Sequence, residues 1–113
     1  MDDGKVMDVN LALLGGRLAL PPYVELQPDG SRRAHLLVYV RSEWRTRCDV
    51  VPVVVPEEVG LDALDGLRRG TPIGVAGPLM RRCSHDPWEP SGRIEVVADS
   101  IRLPDNEEAR RSR

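Results

Sequence analysis

The feature of this sequence that most constrains its fold is the way its apolar residues are distributed. They form short segments rich in valine, and glycine, proline and aspartate separate one segment from the next, while phenylalanine is absent. β-Branched side chains favour strands, and Gly, Pro and Asp favour the turns that connect them. The pattern predicts an all-β protein.

The first strands can be placed from these signals. A strand begins at Val9 and passes through Gly15-Gly16, and the paired glycines permit the sharp bend that a small barrel needs. Pro21-Pro22 then interrupts pairing, and the strand resumes over Tyr23–Leu26. Gln27–Ser31 is a strong turn because proline presets φ and glycine tolerates a positive φ, so a hairpin is predicted.

Two further strands follow the hairpin turn. Residues 34–40 alternate, so one set of side chains is predicted to face the core and the other to face outward; the core set is Ala34, Leu36, Val38 and Val40, and the outward set is His35, Leu37, Tyr39 and Arg41. Residues 49–55 form the next strand. Within it Pro52 cannot donate to a ladder, which favours an edge or a bulge.

The remaining elements complete a recognisable order. The only plausible helix covers Val59–Arg69, with Gly70 as its stop, and strands at Thr71–Leu79 and Arg93–Leu103 are joined by an exposed loop. The chain is therefore predicted to be a five-stranded OB-fold barrel with one short helix between strands 3 and 4. That fold places a nucleic-acid groove around its second and third strands.

The length of 113 residues allows one domain with one modest core. Hydrophobic residues make up 41% of the chain and charged residues 30%, which is typical of a folded protein. The predicted domain covers residues 9–104, with a flexible N-terminus over residues 1–8 and a charged, disordered tail over residues 105–113.

In its ordered part the sequence resembles the DNA-binding core of the bacterial single-stranded-DNA-binding protein family, in a short form. The resemblance covers about Val9 to Leu103 and rests on the order and spacing of several segments. These are Val9-Asn10 with Gly16-Arg17-Leu18, Asp29-Gly30, residues 49–55, Leu67-Arg68-Arg69-Gly70, Val75-x-Gly77-x-Leu79, Ser91-Gly92 and Glu95–Ile101. It implies sequence-independent binding of single-stranded DNA in replication, recombination or repair, by a homo-oligomer that is a dimer or a tetramer.

That family combines a basic groove with aromatic rings on which bases stack. Trp44 matches one of its stacking positions, whereas the same register places Val50, Pro56 and Ser84 at other aromatic positions. Trp88 lies a few residues beyond Ser84 and offers a substitute. If Trp88 replaces one of the three missing rings, two remain lost, which predicts binding weaker than the family norm by roughly 2–6 kcal/mol.

A basic groove is possible although the formal net charge is −2, because the basic residues are clustered along the chain. All but one of the 16 basic residues are arginine, which suits phosphates and also stacks on bases. The predicted nucleic-acid-binding residues are Trp44, Arg41, Arg45, Arg47, Arg69, Arg81, Arg82, Trp88 and Tyr39. Each arginine can equally be a solvated surface residue, and each tryptophan can instead cover the core or a subunit interface.

The chain also lacks a tail of the family's kind, which is acidic with an apolar tip and recruits replication and repair proteins. Residues 106–113 end in basic residues and contain no apolar side chain apart from Ala109. We therefore do not expect this tail to recruit replication or repair proteins. In this respect the chain is similar to the primosomal replication protein that shares the fold and works as a dimer. The alternative function is therefore a degenerate OB-fold module that acts mainly through protein partners.

No residue pattern indicates catalysis or a bound cofactor. Cys48 and Cys83, with His35 and His85, lack the repeated spacing of structural zinc sites, and a thiol and an imidazole at this spacing do not make a nucleophile pair. We therefore expect that the protein is not an enzyme and binds neither a metal nor a cofactor. The acidic N-terminus and the absence of a long apolar run predict no membrane contact and a cytoplasmic, nucleoid-associated protein with two free thiols.

Overall fold

The structure is a computed structural model that describes residues 7–42, 47–81 and 93–104. It contains these strands: β1 (Ala12–Leu18), β2 (Tyr23–Leu26), β3 (Arg32–Ser42), β4 (Arg47–Pro56), β5 (Pro72–Gly77), β6 (Leu79–Arg81), β7 (Ile94–Val97) and β8 (Ser100–Arg102). A short helix α1 (Glu57–Gly60) and a 3₁₀ turn (Asp62–Leu64) lie between β4 and β5. The predicted all-β class is confirmed.

The strands close into a barrel. β3 pairs with β1 and β4, β4 pairs in parallel with β7, and β1 pairs with β5. β5 and β6 are two parts of one bent strand, as are β7 and β8, and the two bent strands pair with each other. The ladder continues through the bends, because Asp99 N–H donates to Ala76 O at 2.8 Å and Ala98 N–H donates to Val54 O at 2.8 Å. β1 and β2 pair with β3 one after the other, on either side of Pro21-Pro22, and are likewise two parts of one strand. Counted this way, the barrel has the five strands of an OB fold.

Two glycines permit the close strand crossings of this small barrel. A Cβ at Gly16 would lie 2.1 Å from the carbonyl oxygen of Tyr39, and one at Gly77 would lie 2.0 Å from the carbonyl oxygen of Val97. Neither contact is sterically possible, so only glycine fits. Gly15 has open space instead, which shows that Gly16 is the member of the pair that the crossing requires.

The core lies inside the barrel, and β3 supplies much of it. Ala34, Leu36 and Val38 are buried as predicted, and Val40 packs at the edge of the same cluster. Across the ladder Val53 and Val55 of β4 are buried too. The pairing of β4 with β7 begins at Val53, so Pro52 lies in the part of β4 that pairs with β3 alone among the described strands. This agrees with its predicted place at an edge.

The predicted helix over Val59–Arg69 is wrong in its extent. α1 ends after one turn because Gly60 adopts φ +112°, and a 3₁₀ turn follows. Leu61, Leu64 and Leu67 are all buried against the end of the barrel. Their spacing of three residues matches the period of a 3₁₀ turn rather than that of an α-helix.

The hairpin between β2 and β3 forms where the sequence predicts it. Gly30 has φ +90° and donates to Gln27 O at 2.9 Å, while Asp29 Oδ1 accepts from the backbone N–H and the hydroxyl of Ser31. These bonds lower the pKa of Asp29. The hairpin is also held to α1, because Glu57 Oε1 accepts from the backbone N–H of Arg32 at 2.7 Å.

Candidate nucleic-acid interface

The outward residues of β3 and β4 form a continuous surface on one side of the barrel. Register fixes their neighbours: Leu37 lies opposite Pro52, Tyr39 opposite Val50, and Arg41 opposite Cys48. We call these six residues the β3–β4 face. In an OB fold the corresponding side of the second and third strands is the side that carries nucleic-acid grooves.

Tyr39 is the aromatic residue of this face. Its ring is exposed, and its hydroxyl donates to the Sγ of Cys48 at 2.8 Å. This hydrogen bond raises the pKa of Tyr39 above its usual value. The contact ties the end of the side chain to β4 and leaves the ring available to a ligand.

The predicted arginines that the structure describes lie at three places. Arg41 is exposed on the β3–β4 face, and Arg47 begins β4 in register with Ser42. Arg81 ends β6 at a separate groove described below. Arg69 is exposed in the turn before β5, on the opposite side of β1 from β3, so the structure does not bring it together with Tyr39 and Arg41.

A groove of about 380 Å³ lies next to the β3–β4 face, between the β2–β3 hairpin and the β6–β7 strand pair. Arg33 and Arg81 line it together with Pro56, one of the positions at which the resemblance implies an aromatic ring. Carboxylates lie close by: Glu25 pairs with Arg33 at 3.3 Å, and the buried Glu95 lies 3.8 Å from Arg93. The groove is therefore of mixed charge.

Several predicted site residues fall outside the described part of the chain: Trp44, Arg45, Arg82 and Trp88. Their roles stay predictions. Ser84 also lies outside the described residues, whereas Val50 is described and is exposed. The tail over residues 105–113 and most of the predicted flexible N-terminus also lie outside the described residues.

Sequence reasoning missed a cluster at the start of the β2–β3 hairpin. Tyr23 and His35 are registered neighbours whose ring centroids lie 5.8 Å apart. Nε2 of His35 donates to Oε1 of Glu25 at 2.6 Å, and Nε of Arg33 donates to the same oxygen at 3.3 Å. Both bonds lower the pKa of Glu25, the one from His35 more strongly. The hairpin turn was a signal for this pairing, because it sets which residues of β2 and β3 meet.

Within residues 7–42, 47–81 and 93–104, the structure does not gather three His, Cys, Asp or Glu side chains in a way that would hold a metal ion. Cys48 is an exposed free thiol. Of the helices in these parts of the chain, none has the length and apolar character that crossing a bilayer requires.

No protein-family model matches the chain, and no curated protein matches it either. Solved structures do match. The SSB of Plasmodium falciparum in complex with ssDNA superposes with a TM-score of 0.72 and 22% identity, over 89% of this chain and 99% of that one. The wild-type single-stranded DNA binding protein of Thermus aquaticus has a TM-score of 0.68 and 21% identity, over 86% of this chain and 41% of that one.

A third similar structure is the dimeric N-terminal domain of PriB from Thermoanaerobacter tencongensis. Its TM-score is 0.65 with 17% identity, and the match covers 85% of this chain and 97% of that one. Together with the strand pairing, these likenesses establish the fold: the chain is an OB-fold protein built like the SSB and PriB domains.

Proposed function

We propose that this protein binds single-stranded DNA with little sequence preference, in replication, recombination or repair. The observation that carries the proposal is the β3–β4 face, where the exposed ring of Tyr39 and the exposed Arg41 stand on the outward side of an OB-fold strand pair. Aromatic rings stack on any base, and arginines neutralise phosphates. The likeness to a Plasmodium SSB in complex with ssDNA supports this use of the fold.

The proposed interface extends beyond the face itself. In the sequence, Trp44 and Arg45 lie between β3 and β4, just before Arg47 begins β4. Arg82 and Trp88 lie between β6 and β7, after Arg81 ends β6. We retain Arg69 as a more distant phosphate contact, which requires the strand to cross β1.

Binding is expected to be weak and sensitive to salt. Arg32 and Arg33 already pair with Glu57 and Glu25, so phosphates must compete with these carboxylates. Because phosphate contacts release counterions, affinity falls as salt rises.

We also propose a homo-oligomer. β1 pairs with β5 along Ala12–Arg17 but with β3 only at Arg17 and Leu18, so one edge of its first half has no registered partner among the described residues. Along and before this strand runs a set of large apolar side chains at every second position, with exposures from 61% to 83%: Met7, Val9, Leu11 and Leu13. An open edge beside an apolar stripe fits a second copy of the chain.

A second candidate function is favoured by the same stripe. An OB-fold module whose groove has lost affinity can act through protein partners, as in a primosomal-protein-like role. The dimeric PriB domain is among the similar structures. Under either function the protein is proposed to be a binding protein rather than an enzyme, located in the cytoplasm in association with the nucleoid.

Cys48 offers a direct test, because its thiol is exposed in the middle of the proposed interface. In a Cys83→Ser background, saturating oligo-dT should slow alkylation of Cys48 several-fold, and a duplex of equal length should slow it much less. Equal alkylation rates with and without oligo-dT would contradict binding at this face.

A further inference from the structure

The start of the β2–β3 hairpin carries an aromatic surface that the proposed function does not yet use. Tyr23 is 64% exposed, and its ring lies 5.8 Å from that of His35 with the two planes inclined by 32°. Around the rings is a hollow of about 370 Å³, bordered by Leu20, Pro21, Leu37 and Arg93. We call this surface the Tyr23 platform.

The platform is held in position before any ligand binds. Its histidine ring is fixed by the 2.6 Å hydrogen bond from Nε2 of His35 to Glu25, and the carboxylate of Glu25 is held in turn by Arg33. All of these residues belong to two paired strands of one hairpin. A surface that is ordered in advance loses little conformational entropy when a flat ligand stacks on it.

The composition of the hollow suits a flat heteroaromatic ring. The rings of Tyr23 and His35, apolar side chains that include Leu37, and the charged Arg93 and Glu25 all line it. Tyrosine, histidine and the planar guanidinium of arginine are the side chains on which unstacked bases stack in single-stranded nucleic acids. The side chain of Arg93 is largely exposed and pairs with Glu95 at 3.8 Å, so it can stack on an entering ring if it leaves that ion pair.

The position of the platform connects it with the β3–β4 face. Leu37 belongs to both surfaces, and His35 and Tyr39 point outward from the same strand, separated by about 13 Å at the usual rise per residue. One extended strand can therefore reach both. This continuity favours a base over a second copy of the chain, because the apolar stripe of Met7 to Leu13 lies on a different strand, β1, and the segment before it.

We propose that the Tyr23 platform is a base-stacking subsite, which takes one base of the single strand that also crosses the β3–β4 face. This inference rests on the proposed function, since it assigns a further part of the same bound strand. It makes Tyr23 and His35 contact residues and Glu25 a positioning residue for the His35 ring.

The test compares Tyr23→Ala with Leu26→Ala in anisotropy titrations of labelled oligo-dT. Leu26 is a matched control, because it lies on the same strand, is 71% exposed and faces the side opposite to Tyr23. Tyr23→Ala should weaken binding about 5- to 150-fold, while Tyr23→Phe and Leu26→Ala should bind like the wild type. The salt dependence should be unchanged in Tyr23→Ala, since no phosphate contact is removed.

A fluorescence measurement supplies a second readout. In a Trp44→Phe, Trp88→Phe background, Tyr23→Trp places the only tryptophan on the platform, and oligo-dT should quench it. Wild-type binding with neither quenching nor an effect of Tyr23→Ala would overturn the subsite and leave the proposed function standing. Absence of binding by the wild type would remove both, and a change of oligomeric state in Tyr23→Ala with unchanged affinity would make the platform a subunit contact instead.

Discussion

Tyr39 and Val50 lie directly opposite each other on β3 and β4, both exposed on the same face of the barrel. The family resemblance leads one to expect an aromatic ring at the position of Val50. The structure shows that a ring is present on this face after all, but on the neighbouring strand. Under the proposed function, a base that reaches this face would stack on the Tyr39 ring, beside the exposed side chain of Val50.

This pairing predicts that adding a ring beside Tyr39 strengthens binding. Val50→Trp should increase the affinity for oligo-dT by about 1–3 kcal/mol, because it supplies a second stacking surface at an exposed site. Val24→Trp is the control, since Val24 is comparably exposed on β2 but faces away from Tyr23 and Glu25. Anisotropy titrations measure both variants, and equal affinities for the two would argue against stacking at position 50.

Arg41 is predicted to contact a phosphate. Arg41→Ala should reduce the slope of log affinity against log salt by about 0.7, the value for one lost contact on a single strand. Arg102→Ala should leave the slope unchanged, because Arg102 is exposed on β8, which is separated from β3 by β5 and β1. The measurement is a titration series over several salt concentrations, and a slope that changes equally in both variants would remove Arg41 from the interface.

The lowered pKa of Glu25 predicts how the free energy of unfolding changes at acid pH. The pKa of Glu25 is lowered from its usual 4.5, mainly by the hydrogen bond from His35. The carboxylate therefore contributes to the free energy of unfolding at pH values above 4.5, and this contribution is lost as the pH falls through the lower pKa of the folded state. Glu25→Gln should therefore flatten the loss of stability at acid pH. Urea denaturation of both proteins from about pH 6 to pH 3 measures this, and parallel curves would contradict the assignment.

The crossing of β1 over β3 predicts different tolerance at two adjacent glycines. Gly16→Ala should lower the free energy of unfolding by about 1–3 kcal/mol or more, because the new methyl group meets backbone rather than a flexible side chain. Gly15→Ala should have little effect, since open space surrounds that position. Chemical denaturation measures the stability of the two variants. Equal stabilities would show that β1 does not approach the backbone of β3 closely at Gly16.

The apolar stripe predicts the oligomeric state. Leu13→Glu places a charge beside the open edge of β1 and should shift the protein to monomer, whereas Leu26→Glu, at a similarly exposed site on β2, should not. Sedimentation velocity distinguishes the two outcomes. A wild-type protein that is monomeric at high concentration would contradict the proposed interface.

Local pattern was enough to predict the parts of the fold in which neighbours along the chain determine the outcome. The two-residue alternation of β3 sorted buried Val38 from exposed Tyr39, and the turn chemistry of Asp29-Gly30 placed the hairpin. The predicted extent of the helix is wrong because Gly60 ends α1 and a 3₁₀ turn over Asp62–Leu64 follows. The three-residue spacing of Leu61, Leu64 and Leu67 matches the period of such a turn.

The structure also explains a residue that was noticed only through resemblance. The side chain of Asn10 donates to Leu79 O at 2.7 Å and accepts from Leu79 N–H at 2.8 Å, so it joins the segment before β1 to β6. This contact bridges 69 positions of the chain, which no local pattern can reveal. The hairpin turn indicates that Tyr23 and His35 pair, but the Tyr23 platform also includes Arg93 from a third segment, which no local pattern places.

Binding of single-stranded DNA by this OB fold is best tested by titrating the purified protein with a long oligo-dT across a salt series. Anisotropy of the oligonucleotide and tryptophan fluorescence of the protein are followed together. We expect saturable binding, quenching of tryptophan fluorescence, and an affinity that falls steeply as salt rises. No binding even at low salt would contradict the proposed function and make the protein-interaction module the leading function.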